Sequence, residues 1–198
     1  YEILDENRNI AMGPLDMQKD FFKHRIELAN AMEESKDVIT EVSEEFAKIT
    51  GRKYNLYEKY MLDDAEYAVI VLNSTAGTAK DVIDNLRSKG IKAGLLKPRC
   101  FRPLPYLEIP SELKNVKALA ILDKADSINA YSGPLFAEIT SAMYSSNIQV
   151  PTINYIYGLG GTDVTTNDIE SVFSDLEEIA KTGNANNTKR YLGIDKEV

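Results

Sequence analysis

Side chains suited to catalysis are scarce in this chain. His24 is the only histidine and Cys100 the only cysteine among 198 residues. A Ser-His-Asp triad would have to centre on His24, which lies in a charged, helix-like stretch and is better interpreted as a solvated surface residue. One cysteine cannot form an internal disulfide, a thiolate zinc cage or an iron–sulfur cluster within the chain. Cys100 has cationic neighbours that favour a thiolate, but no base is near it in the sequence, so we predict an inert thiol.

Hydroxyl groups follow the first apolar run that is suited to a strand. Ser74 and Thr75 come just after residues 67–72, and Thr78 stands where a helix is predicted to begin. A helix N-terminus attracts anions, and hydroxyl groups beside it add donors. An ordinary helix cap also explains these residues, and the Gly-Lys-Ser/Thr ending of a P-loop is absent. The three are therefore candidates for an anion site, with capping as the alternative.

Three cations stand in a proline-rich segment after the second predicted strand. Lys97, Arg99 and Arg102 lie among the three prolines of residues 98–105, which hold the backbone extended. Their charges favour an anion clamp or a subunit contact. A crossover segment with its charges in water fits the same pattern, and the sequence leaves both interpretations open.

Two carboxylates follow the third predicted strand. Asp123 and Asp126 are close enough in sequence for an acid pair or a metal site, but one pair without a third ligand is a weak signal. Gly133 and Pro134 come next and are explained by the start of a helix, since proline is favoured in the first turn. We predict no metal site here.

A glycine-rich turn follows the last predicted strand, at Gly158, Gly160 and Gly161. It fails as a dinucleotide-binding motif, because Asp163 takes the place of the third glycine and the next helix begins only near residue 168. A tight loop shaped for a neighbouring chain or a bulky group is the better interpretation.

The elements that position these loops follow from the hydrophobic pattern. Continuous apolar runs predict strands that are buried on both faces, at residues 67–72, 91–96, 118–122 and 152–157. Apolar residues spaced by three and four predict helices at residues 78–89, 134–146 and 168–181. Strands that alternate with helices of this length predict a three-layer α/β/α fold with a mostly parallel sheet.

The ends of the chain differ from this central domain. Residues 17–50 have a helical pattern that predicts two helices or one long broken helix. Residues 183–188 are polar and predict a loose tail, although residues 191–194 offer a segment that can dock on a partner. We therefore divide the chain into a linking and helical segment, an α/β domain and a tail, at residues 1–54, 55–182 and 183–198.

Composition excludes several classes of protein. The formal net charge of -8 argues against a general nucleic-acid binder, because phosphate neutralisation needs clustered lysines and arginines. No apolar run approaches the roughly 20 residues that a membrane-spanning helix needs, and residues 1–5 have no signal-peptide pattern. With the single cysteine, these features predict a cytoplasmic protein that binds neither nucleic acid nor membrane.

Groups of residues in a fixed order give the chain a family resemblance. They include T-G-R-K-Y at 50–54, G-I-K-A-G-L-L-K-P-R at 90–99, F-R-P-L-P at 101–105, G-P-L-F at 133–136 and Y-I-Y-G-L-G-G at 155–161. Together they resemble the alpha subunit of pyruvate and other 2-oxoacid:ferredoxin oxidoreductases, over about residues 12–180. The resemblance implies the second domain of that subunit, which is similar to transketolase C-terminal domains, preceded by linking helices.

What the resemblance implies is one part of an enzyme complex. The family decarboxylates a 2-oxoacid on thiamine diphosphate, passes electrons through iron–sulfur clusters to ferredoxin and forms acyl-CoA. The cofactor's diphosphate and its magnesium are held by the beta part and the clusters by other parts, so this chain is expected to bind no cofactor itself. Other subunits or domains, of beta, gamma and delta type, are its expected partners. An N-terminal domain of the alpha part, expected to be missing here, helps to bind the 2-oxoacid.

No catalytic residue of the family maps onto this chain. The segment with Arg102 also resembles a block of transketolase C-terminal domains, which mostly build subunit interfaces. The resemblance therefore implies interface residues at Phe101, Pro103, Leu104, Gly158, Gly160, Gly161 and Asp163. The resemblance also gives the anion candidates a second interpretation, as residues near bound coenzyme A. These candidates are Ser74, Thr75, Thr78, Arg99 and Arg102.

Two rival functions stay open. A free-standing, doubly wound module can bind an anion or a nucleotide through Ser74, Thr75, Thr78 and Gly160. The equivalent domain of a related transketolase-like enzyme would share the same sheet. Under the first interpretation the isolated chain folds and is inactive, whereas micromolar binding of coenzyme A, nucleotides or phosphate would favour the module.

Overall fold

The computed structural model describes residue 7 and residues 15–194. Its strands are β1 (Tyr57–Tyr60), β2 (Tyr67–Val71), β3 (Ala93–Pro98), β4 (Ala118–Asp123), β5 (Thr152–Ile156) and β6 (Lys189–Tyr191). Its α-helices are α1 (Gln18–Thr50), α2 (Thr75–Ser88), α3 (Glu108–Glu112), α4 (Pro134–Ser145) and α5 (Thr166–Thr182). These strands form one sheet in the order β1-β3-β2-β4-β5-β6, in which β1 is antiparallel to β3 and all other neighbours are parallel.

Helices cover both faces of the sheet and divide the core in two. Val69 and Val71 of β2 pack with α2 and α5 on one face, whereas Ala68 and Ile70 pack with α3 and α4 on the other. All four residues are fully buried. A central strand therefore needs apolar side chains on both faces, which explains the continuous apolar runs. The predicted three-layer α/β/α fold with a mostly parallel sheet is confirmed.

The sequence patterns do not predict the two edge strands, β1 and β6. Residues 189–191 follow the stretch that was expected to be loose, at 183–188, and they pair in parallel with β5. The N–H of Leu192 donates to the carbonyl of Ile156 (2.9 Å), and the Leu192 side chain is buried in the core of its own chain. Of the segment expected to dock on a partner, Tyr191 and Ile194 stay exposed.

α1 is one continuous helix, although two helices or a broken one were expected. No glycine or proline interrupts residues 18–50. Gly51 ends the helix with a left-handed φ of 70°, and its N–H donates to the carbonyl of Ala47 (2.8 Å). The helix has 33 residues and is about 50 Å long. Ser43 is its one buried residue, so most of α1 faces solvent in the single chain.

The division of the chain at residues 54 and 182 remains a prediction. Residues 1–6, 8–14 and 195–198 lie outside the described range, and they include the start of the linking segment and the end of the tail. None of the described helices has the length and apolarity needed to cross a membrane.

The strand order creates a switch point at the carboxyl edge of the sheet. β2 lies between β3 and β4. The chain runs from β2 to β3 on one side, and then crosses back to form β4 on the other side of β2. In open α/β sheets, ligands bind in the crevice outside the carboxyl ends of two such strands. The loops after Val71 and Asp123 are therefore the place to look for a site.

Candidate functional site

A crevice of about 360 Å³ opens between the carboxyl ends of β2 and β4. Its lining includes Asn73, Ser74, Thr75, Phe101, Lys124 and Tyr157. Hydroxyl groups, the start of α2 and one cation meet there, a combination that suits a small anionic group. Ser74 and Thr75 were singled out from the sequence, whereas Lys124 and Tyr157 were not.

The hydroxyl candidates occupy different positions at the start of α2. Ser74 is exposed and makes no capping hydrogen bond through its side chain. Thr75 accepts a hydrogen bond from the buried hydroxyl of Tyr157 (3.0 Å). Burial raises the pKa of Tyr157, so this phenol stays protonated and acts as a donor. Thr78 lies inside the first turn of the helix and is half-buried.

Asp123 anchors the start of α4. Its carboxylate accepts hydrogen bonds from the N–H groups of Leu135 (2.7 Å) and Phe136 (3.1 Å) and from the side-chain amide of Asn154 (2.9 Å). Burial raises the pKa of Asp123, while the three donors act in the opposite direction. A carboxylate at a helix N-terminus satisfies free N–H groups and the helix dipole, so Asp123 has a structural role.

The acid pair considered from the sequence does not form. Asp126 is bonded instead to Lys189 and to the hydroxyl of Tyr191 (2.7 Å), which join the β4–α4 loop to β6. Residues 7 and 15–194 contain no group of three or more His, Cys, Asp or Glu residues that could hold a metal ion.

Gly133 and Asn154 complete the anchor around Asp123. The side-chain oxygen of Asn154 accepts a hydrogen bond from the N–H of Gly133 (2.8 Å), and its amide also donates to the carbonyl of Ile121 (3.0 Å). A Cβ added at Gly133 would lie closer than 3.0 Å to three atoms of the Asp123 side chain. The G-P motif at residues 133–134 therefore does more than start a helix, because position 133 has no room for a side chain beside Asp123.

The two arginines considered for an anion clamp or a subunit contact are already paired. Arg99 contacts Glu58 and stacks over the ring of Tyr54 (4.7 Å from the guanidinium carbon to the ring centre). Arg102 donates to Glu138 (2.6 Å) and also lies over Phe101. Both contacts are intramolecular, so an anion would have to compete with a carboxylate at each arginine.

Lys97 and Lys124 lie near the carboxyl ends of β3 and β4, and neither has a carboxylate partner among the described residues. Lys124 lines the crevice at the switch point, and its stem lies against Gly158. A Cβ added at Gly158 would be 2.9 Å from Cε of Lys124. Gly158 also has a φ of 64°, which favours glycine. Lys124 is therefore the cation best placed to meet an anion in the crevice.

The predicted interface residues divide into exposed and buried groups. Pro103 and Leu104 are buried, and Leu104 packs in the core beneath α3 and α4. Gly158 is also buried and Phe101 is half-buried. Gly160, Gly161 and Asp163 are exposed around a short 3-10 turn at Leu159–Gly161. Their interface role stays a prediction, and the exposed group is where another chain can make contact.

His24 is exposed on α1 and bonded to Asp16 through Nδ1 (2.7 Å). The hydrogen bond and charge of Asp16 raise the pKa of His24 above its usual 6.5. The stabilising effect of this pair is thus complete below the pKa of the unfolded imidazole and is lost as pH rises through the folded pKa. We expect an NMR titration of the single imidazole to have its midpoint above 6.5 and Asp16→Asn to lower it. An unchanged midpoint in Asp16→Asn would contradict the pairing.

Comparisons with known proteins give a consistent picture. Residues 65–169 match the family described as pyruvate:ferredoxin oxidoreductase core domain II. The pyruvate synthase subunit PorA of Thermotoga maritima is 37% identical over 98% of this chain and 48% of that protein. The ketoisovalerate oxidoreductase subunit VorA of Pyrococcus abyssi is 36% identical over 92% of this chain and 46% of that protein. The chain thus spans about half the length of these curated relatives.

A solved structure gives a looser match. A chain of the 2-oxoglutarate:ferredoxin oxidoreductase of Magnetococcus marinus has a TM-score of 0.46 and 16% identity. The matched region covers 64% of this chain and 20% of that one.

Proposed function

Because this chain belongs to the pyruvate:ferredoxin oxidoreductase core domain II family, we propose that it is the second domain of the alpha part of a 2-oxoacid:ferredoxin oxidoreductase. Pyruvate is the expected substrate and the cytoplasm the expected location. The complete enzyme decarboxylates the 2-oxoacid, transfers electrons to ferredoxin and forms acyl-CoA. The observation that carries this proposal is the family match over residues 65–169, which extends from just before β2 to the start of α5.

Within the part of the chain that the structure describes, the residues do not fit the metal ions of such an enzyme. An iron–sulfur cluster needs several thiolates, and Cys100 is the only cysteine. Magnesium prefers carboxylate oxygens, but Asp123 holds the start of α4 and Asp126 is bonded to Lys189. We therefore assign thiamine diphosphate, magnesium and the clusters to other parts of the complex.

The proposed contribution of this chain is a surface for assembly at the carboxyl edge of the sheet. Phe101, Gly160, Gly161 and Asp163 lie in loops that follow β3 and β5, whose carboxyl ends lie at the same edge. Other polypeptides of the complex, of beta, gamma and delta type, are the expected partners. Ferredoxin and coenzyme A would be bound by the assembled complex.

An activity assay with defined mixtures tests this proposal. We expect the purified chain to be folded and to show no pyruvate- and coenzyme A-dependent reduction of ferredoxin. Activity should appear when the other polypeptides of a PorA-type enzyme are added, including the half of the subunit that this chain does not span. The same mixture without this chain is the control. Turnover by the chain alone would contradict the proposal, as would full activity of the control.

The second candidate function is a free-standing anion-binding module, which the unpaired Lys124 in the crevice favours. Titration of the purified chain with coenzyme A, nucleotides and phosphate separates the two functions. Micromolar binding that Lys124→Met weakens about tenfold would support the module. Lys92→Met, at an exposed lysine paired with Glu66 (3.6 Å), is the matched control and should bind like the parent chain.

A further inference from the structure

α1 presents a seam of apolar side chains to solvent. Phe21, Leu28, Met32, Ile39, Val42 and Phe46 occupy positions spaced alternately by four and three residues, with Arg25 and Ser35 at the two remaining positions. Each of the six keeps 37–57% of its surface exposed. Apolar residues in this heptad pattern are typical of helices that pack side by side.

The body of the chain contacts a different face of α1. Ser43 is buried and accepts a hydrogen bond from the N–H of Tyr54 (3.1 Å). Ala47, one turn further on, is half-buried on the same face. Val42 is 57% exposed beside them, so the fold of a single chain covers the small and polar side of the helix and leaves its apolar seam open. An open apolar surface of this extent marks a contact with another molecule.

A groove runs beside the C-terminal half of the seam. It has a volume of about 1000 Å³. Ile39, Val42 and Phe46 line it together with Leu72 and Phe101 from the body of the chain. The space is large enough for several apolar side chains of a second helix lying along α1.

The charges of α1 differ between its two halves. Residues 18–31 contain three basic and two acidic residues, whereas residues 32–50 contain six acidic and two basic residues. An antiparallel copy of the helix places the basic half beside the acidic half at both ends of the pair. A parallel copy places like charges beside each other, which disfavours that arrangement.

We propose that α1 pairs with α1 of a second copy of this chain, antiparallel and related by a twofold axis. In one register, the seam positions of the two helices face each other and the basic half of each helix lies beside the acidic half of its partner. It sets Leu28 opposite the partner's Ile39 and Phe21 opposite the partner's Phe46, while Val42 faces the partner's Arg25 and Met32 faces the partner's Ser35. Arg25 then lies beside the acidic half of the partner, near the partner's Glu45. The proposal uses only α1 and its groove and does not depend on the proposed function.

Sedimentation of the full chain tests the association. We expect a dimer, and we expect Ile39→Asp to weaken it on the order of 100-fold, because the dimer would bury an unpaired carboxylate. Ile26→Asp is the matched control, since Ile26 is 50% exposed on the same helix but lies off the seam. That variant should change the dissociation constant by about threefold or less. Both positions are exposed in the single chain, so circular dichroism should show the parent fold for both.

Disulfide trapping tests the direction of the pair. With Cys100→Ser in all chains, Leu28→Cys and Ile39→Cys variants are made, one of them with a tag that changes its mobility on a gel. Oxidation of their mixture should link one chain of each kind, and neither variant alone should link. Linking within each variant alone would show a parallel pair and overturn the proposed register.

Three further results would overturn the proposal. The first is a monomer at concentrations up to about 0.1 mM. The second is a dimer that Ile39→Asp leaves unchanged. The third is a monomer whose residues 21–46 gain protection from hydrogen exchange only when the other polypeptides of a 2-oxoacid:ferredoxin oxidoreductase are added, which would assign the seam to a different partner. The activity assay with defined mixtures does not depend on these results, so the two proposals can fail separately.

Discussion

Replacing Asn154 with leucine should lower the free energy of unfolding by about 4 kcal/mol. The side chain is fully buried and is bonded to Asp123, to the N–H of Gly133 and to the carbonyl of Ile121. Leucine has a similar volume but leaves all three groups without this partner in the core, at about 1–3 kcal/mol each, and its apolar surface offsets part of that loss. Urea denaturation followed by circular dichroism measures the change.

The matched control for this prediction is Asn85→Leu. Asn85 is exposed on α2 and donates one hydrogen bond, to Glu170 (2.8 Å). Because water replaces that bond, the substitution should change the free energy of unfolding by about 0.5 kcal/mol or less. Equal effects of the two substitutions would mean that the buried hydrogen bonds of Asn154 do not stabilise the fold.

This buried group also shows where prediction from the sequence ends. Asp123 was considered together with Asp126 because the two are close in the chain. The register of β4 and β5 pairs Ile121 with Asn154, and this pairing brings a residue 31 positions away to Asp123. One signal was available, since Asn154 is a polar residue in the middle of an apolar strand and so needs buried partners. The identity of those partners depends on the strand pairing, which one sequence does not reveal.

The central strands could be predicted because burial on both faces requires apolar residues throughout. The edge strands could not, because each contacts the core less and carries charged residues instead. β1 reads Tyr-Glu-Lys-Tyr, and its Glu58 pairs with Lys80 and Arg99. β6 has three residues, and its Arg190 pairs with Asp175 (2.7 Å). Short, charged edge strands of this kind resist pairing with other chains, and their sequences resemble loops.

The candidate site was predicted in part. The order of the motifs predicted the family, and the match to core domain II over residues 65–169 confirms it. Ser74 and Thr75 do lie in the crevice at the switch point. The roles considered for Arg99 and Arg102 stay predictions, but their pairing could not be foreseen, because Glu58 and Glu138 stand 41 and 36 residues away in sequence and meet them only in the folded chain.

Gly133→Ala should lower the free energy of unfolding by about 3 kcal/mol. The φ of Gly133 is -65°, which any residue adopts, so the cost is steric rather than conformational. A Cβ at this position would overlap the side chain of Asp123, which is held in place by the N–H groups of Leu135 and Phe136. To make room, Asp123 would have to give up those hydrogen bonds or α4 would have to shift. Thermal and urea denaturation both report the loss.

A matched glycine and a double substitution separate this cause from a general effect of alanine. Gly77 lies in α2 with no atom within 4 Å of an added Cβ, so Gly77→Ala should stabilise the chain by about 0.5–1 kcal/mol through helix propensity. In a chain that already carries Asp123→Ala, the overlap is absent and Gly133→Ala should cost about 1 kcal/mol or less. If the full cost persisted in that background, the Asp123 side chain would not be what requires glycine at position 133. A reduced cost would show that the carboxylate and the glycine act as one unit at the start of α4.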